Sequence, residues 1–122
     1  MAQEIKHKTL TAFFYKSESG AEPVRDEVLK LATDEKKVVG QDIKTVEFGW
    51  PVGLPVCRNM GNGLWEVRSK LPTRIFRVLF GIDSPEMVLL HGFIKKTQKT
   101  PQKDIDLATK RWKSYLSKKK GI

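Results

Sequence analysis

"LWEVRSKLPTRIFRVLFGIDSPEMVLLHGFIK", residues 64–95, decides the fold. Three apolar runs, LWEVRSK (64–70), RIFRVLF (74–80) and MVLLHGFIK (87–95), are separated by LPT and GIDSPE. Each run has the length and the β-branched and aromatic content of a strand, and each break carries turn residues. An antiparallel meander is therefore the economical reading. Upstream, GWPVGLPVCRNMGNG (49–63) holds two prolines and four glycines, which predicts an irregular loop. Further upstream, KTLTAFFY (8–15) reads as a first strand, followed by the loop KSESG. Pro23 suits a first helical position, and Val24, Val28 and Leu31 follow at the spacing of one helix face. Thr33 or Asp34 caps a second helix that carries Val39, Ile43 and Val46 on one side, with Gly40 weakening it.

Downstream, HGFIKKTQKTPQKDI (91–105) stops an apolar run against two lysines and restarts as an amphipathic helix. Thr100 is its candidate cap and Pro101 its start, with Ile105, Ala108, Trp112 and Tyr115 along one face. Residues 117–122, SKKKGI, read as a frayed tail. The order β, α, α, β, β, β, α predicts an α+β fold: a small antiparallel-rich sheet packed on an N-terminal helical hairpin, with a C-terminal helix. A chain of 122 residues that is 39% hydrophobic can bury one core, so residues 1–122 are expected to form a single domain.

The first residues, MAQEIKHK, lack the apolar centre of a signal peptide, and nowhere do eighteen apolar residues run together, so a cytoplasmic protein with no membrane partner is expected. The one cysteine, Cys57, reads as a small apolar residue. Charge is more informative. The net charge is +9, and residues 1–63 hold nine cationic and nine acidic side chains, whereas residues 64–122 hold fourteen and five. The whole excess (14 − 5 = 9) lies in the second half, as a polyanion-binding surface requires; a solvated basic helix would leave the same count.

Alternation along a strand refines this. In RIFRVLF, Phe76, Val78 and Phe80 share the face suited to a core, and Ile75, Arg77 and Leu79 share the other. Arg77 is then either one half of a buried ion pair with Glu66 or part of an anion site. The same parity groups Leu64, Glu66 and Arg68, and it groups Leu89, His91, Phe93 and Lys95. Arg68, Arg77 and Lys95 are thus expected on one concave face, with Arg74, Lys96 and Lys99 at its rim. Mutually repelling cations of this kind are relieved by a ligand anion. His91 suits proton transfer by residue type, but its place in an apolar run favours a structural role. No ligand spacing for a metal, no phosphate-binding glycine loop and no nucleophile elbow is present, and no cofactor is expected.

GLWEVR, RIFRVLF, VLLHGFIKKTQKTP and DIDLATKR resemble, in order and spacing, the phage-derived toxin-like family of the RelE/HigB superfamily of type II toxin–antitoxin systems; the match covers about residues 48–113. The resemblance implies a RelE-like fold and a ribosome-dependent mRNA endonuclease in which the 2′-hydroxyl attacks the scissile phosphate without a metal. It implies catalytic roles for Arg68, Arg77, Lys95 and Lys96, RNA contacts from Lys70, Arg74, Lys99 and Lys103, and a helix-turn-helix antitoxin as partner beside mRNA and the ribosome. The residue types suit that chemistry, because arginine matches phosphate bidentately and preorganised cations stabilise phosphoryl charge. Two other readings share the sequence features: a nucleic-acid-binding regulatory module that does not cut, and a ParE-like gyrase inhibitor.

Overall fold

A computed structural model describes residues 7–53, 55–95 and 99–120. Eight elements follow in order: β1 (Thr11–Phe14), α1 (Pro23–Leu29), α2 (Thr33–Gly49), β2 (Cys57–Gly61), β3 (Leu64–Lys70), β4 (Ile75–Asp83), β5 (Glu86–Lys95) and α3 (Gln102–Lys120). The strands form one mixed sheet in the order β1-β5-β4-β3-β2, in which only the β1–β5 pair is parallel. The expected α+β class and the meander of three long strands are both present. No helix among the described residues is long and apolar enough to cross a membrane.

Two apolar cores flank the sheet. On one side Val24 of α1 and Val39 and Val46 of α2 pack on Val67, Phe76, Val78, Phe80 and Leu89. On the other, Ala108 and Trp112 of α3 pack on Leu64, Leu79, Val88 and Leu90. Gly81 makes the second packing possible: a Cβ there would lie 2.6 Å from the Trp112 ring, so the indole rests directly on the backbone of β4. Glu47 ties the start of the chain to α2: its main-chain oxygen accepts the amides of Thr9 and Leu10, and its carboxylate accepts that of Ala12 at 2.8 Å.

Five local expectations are corrected. The segment 49–63 is not all irregular, because Cys57–Gly61 forms β2, an edge strand joined to β3 by a tight hairpin. Asn62 and Gly63 both have positive φ, 53° and 83°, as the two-residue hairpin turn demands. α3 extends through Lys120 rather than fraying from residue 117, with Lys119 anchored to Asp83 at 2.6 Å and to Glu86 at 3.4 Å. α2 is capped at Ala32, whose amide donates to Glu35 Oε1 at 3.0 Å, so Thr33 is already helical and no side chain of residue 33 or 34 caps it. Finally, a bulge opposite Leu79 and Phe80 places Leu90 and His91 on the same side of the sheet. Leu89 therefore joins the α1–α2 core while His91, Phe93 and Lys95 face the α3 side. The fifth correction concerns Thr100. Its hydroxyl is bonded to Glu66 on β3, not to the first amides of α3.

Candidate nucleic-acid interface

The α3 side of the sheet is organised in rows set by strand register. Glu66 lies opposite Leu79 and, beyond it, His91; Arg68 lies opposite Arg77 and Phe93; Lys70 lies opposite Ile75 and Lys95. α3 covers the sheet toward the β4–β5 turn, and its N-terminus begins above the row of Glu66. The rows of Arg68 and Lys70 lie toward the other end. With strands spaced about 4.8 Å apart, Lys70 and Lys95 stand roughly 10 Å from each other across β4.

Arg68 and Arg77 are direct cross-strand neighbours of like charge, an arrangement that is destabilising without an anion. Glu66 supplies it. The carboxylate is fully buried; Oε1 accepts from Arg77 Nη1 at 3.0 Å and lies 3.8 Å from Arg68 Nε. Its other oxygen accepts the Thr100 hydroxyl at 2.5 Å, and Arg77 Nη1 is also 3.5 Å from that hydroxyl. One carboxylate thus joins β3, β4 and the segment leading into α3. Burying such a pair costs desolvation that its attraction only partly offsets, so its presence argues for placement of the groups rather than for added stability.

Arg77 was expected as a clamp on an open face. It is fully buried and ion-paired to Glu66, so the ion-pair reading holds and direct contact with a ligand phosphate is corrected. Arg68 is accessible, its side chain 16% exposed, and Lys70 and Lys95 stand in the next row with Lys70 exposed. Lys99 and Lys103 are exposed near the start of α3. Arg74 does not join this surface: its guanidinium bonds both oxygens of Glu35 on α2, at 2.8 and 3.0 Å. Lys96 lies outside the described residues.

His91 has both ring nitrogens engaged. Nε2 is 2.7 Å from Asp104 Oδ1, Arg111 Nη1 approaches Nδ1 at 3.4 Å, and the ring stacks on Phe93. With arginine donating to Nδ1, Nε2 carries the proton given to Asp104, and the histidine braces α3 on β5. Arg111 also donates to Leu90 O at 2.8 Å, and burial pulls its pKa below the ordinary arginine value. Tyr115 is bonded to Glu86 and stacked on Trp112; burial, then the bond to Glu86, pushes its hydroxyl pKa up to about 12. Cys57 is buried, and that burial raises its thiol to about 11, in keeping with a small apolar role.

Two groups beside the interface carry no sequence signature. Thr100 reads as a helix cap by position, and only the tertiary fold turns it onto Glu66. Asp42 of α2 faces a cleft of about 350 Å³ at the end of the sheet, where β3 projects past the start of β2; Val38, Val56, Arg68, Lys70 and Ile75 line the same cleft.

A family of phage-derived Gp49-like proteins (DUF891) has a model that matches residues 26–113, from the middle of α1 to within α3 and including every row of the interface. No curated protein matches the chain.

Proposed function

The chain belongs to the phage-derived Gp49-like family (DUF891), and from that premise we propose that it is a toxin of a type II toxin–antitoxin system of the RelE/HigB kind, acting as a metal-independent, ribosome-dependent mRNA endonuclease. The observation that carries the reading is the register that sets Arg68, Lys70 and Lys95 in adjacent rows on the α3 side of the sheet, at the end away from the β4–β5 turn. Cations fixed on rigid strands stabilise the charge that builds on phosphoryl oxygens when a neighbouring 2′-hydroxyl attacks, and they do so without reorganising. Arg68 is the candidate phosphate clamp, because it is accessible and its guanidinium lies beside Glu66. Lys95 stabilises the leaving oxygen or moves a proton, and Lys96 adjoins it in sequence with the same candidate role. Arg77 acts from below, holding Glu66 and through it Arg68. Lys70, Lys99 and Lys103 contact the RNA backbone, a cognate helix-turn-helix antitoxin covers the surface, and the cytoplasm is the compartment of action.

The test is expression of Arg68→Ala with Lys95→Ala against the unaltered chain. Growth arrest and new mRNA ends mapped by primer extension are expected from the unaltered chain and absent from the folded double variant. Undiminished arrest by the variant contradicts the site. A second reading, an RNA-binding module that does not cut, draws support from the burial of Arg77 and the engagement of His91 and Tyr115. New mRNA ends separate the two, since the module makes none.

A further inference from the structure

We propose that the cleft between α2 and the end of β3 is a nucleobase subsite, and that Asp42 makes it prefer bases with an exocyclic amine. The inference rests on the reading of the basic face as an RNA surface and goes beyond it by naming which group reads the base.

The cleft continues the interface, because Arg68 and Lys70 line it as well as standing in the cationic rows. Its volume of about 350 Å³ falls within the roughly 300–1,000 Å³ typical of small-ligand pockets. Its remaining walls divide in two. Val38, Val56 and Ile75 offer apolar surface for the faces of a flat ring, and Val38 is exposed on α2 with no core to fill. Among the described residues Asp42 is the only acid in the lining, half-buried, and no hydrogen bond or ion pair there holds its carboxylate. An ionised carboxylate only accepts hydrogen bonds.

These features together describe one kind of occupant. Two cations suit a phosphate, apolar walls suit an unstacked base, and a lone acceptor suits the N–H edge of that base. Single-stranded RNA is read in this way, with bases splayed out of the stack and bonded along their edges. An aspartate accepts from the amines of cytosine, adenine or guanine and finds only carbonyl oxygens at the corresponding positions of uracil. An acidic protein segment is the alternative occupant; it would satisfy Arg68 and Lys70 but would bring its own carboxylates against Asp42, so charge complementarity favours the nucleotide.

The experiment is titration of the ¹⁵N-labelled protein with each of the four ribonucleoside 5′-monophosphates, repeated on Asp42→Asn and Arg68→Ala. Amide shifts at Val38, Asp42 and Lys70 are expected, with uridine monophosphate weaker than the best amine-bearing nucleotide by roughly tenfold, the effect of one charge-assisted hydrogen bond. Asp42→Asn should compress that ratio, because an amide donates as well as accepts, and Arg68→Ala should weaken all four. Equal affinity for all four nucleotides, an unchanged ratio in Asp42→Asn, or saturation of the cleft by an acidic peptide but by no nucleotide would each overturn the subsite. Free nucleotides bind or fail to bind whether or not the protein cuts RNA, so this result is distinct from the mapping of mRNA ends.

Discussion

Beneath α1 and α2 the sheet presents Val67, Phe76, Val78, Phe80 and Leu89, all buried and all apolar; on the α3 side the same strands present Leu64, Leu79 and Val88 toward one end and Glu66, Arg68 and Arg77 toward the other. Both sides are built from the same alternation, yet among the described residues the strands bury charged side chains only on the second. The second buries an arginine and a glutamate at a cost in desolvation, and beyond them it carries Lys70 and Lys95. The comparison teaches where each kind of constraint sits. The α1–α2 side holds the fold by burial, and the α3 side uses part of that stability to place charge.

The largest effects test that division directly. Phe76→Ala on the α1–α2 side and Glu66→Ala on the other should each destabilise by about 3–5 kcal/mol in urea unfolding, the first by leaving a cavity and the second by stranding the buried Arg77 charge. The similar magnitudes hide different causes, and a double substitution separates them. Glu66→Met together with Arg77→Met should fold with stability equal to the unaltered chain or up to about 4 kcal/mol higher, since apolar side chains of similar volume avoid the desolvation cost. The same protein should lose RNA contact, because the Glu66 carboxylate that lies beside Arg68 is gone. A double variant that is both unstable and fully active would break the contrast between the two sides.

The smallest expected effect is a pH dependence at the far end of α3. Tyr115, pushed up to about 12 chiefly by burial, holds its proton more tightly in the folded protein than in the unfolded chain. Its contribution is therefore fully present below the ordinary tyrosine value of about 10 and is lost as pH rises toward about 12. Ultraviolet titration should show a late phenolate phase that Tyr115→Phe removes; a titration in which Tyr115→Phe removes no late phase would mean that α3 leaves this end of the sheet open.

The meander, both hairpin helices and the face of α3 were legible in the sequence because period-two and period-3.6 patterns are local. The strand β2 was not, because Pro51, Pro55 and the glycines outweighed the Asn62–Gly63 hairpin signal that lay among them. Of the interface, Arg68 and Lys95 were legible by parity, and so was the pairing of Arg77 with Glu66. The bulge at Leu90 reversed the parity of Leu89 alone, leaving His91, Phe93 and Lys95 together as read. What sequence could not give were contacts between distant elements: Arg74 drawn to Glu35, Thr100 to Glu66, and both Asp104 and Arg111 to His91. Each joins residues at least thirteen positions apart, where spacing carries no signal.

The most direct test of the contrast between the two sides is a map of amide shifts on titrating a short single-stranded RNA into the ¹⁵N-labelled protein. The account predicts shifts clustered at Arg68, Lys70, Ile75, Lys95 and Lys99, weakening as salt rises. Shifts confined to the outer surfaces of α1 and α2, or none at all at low salt, would contradict it.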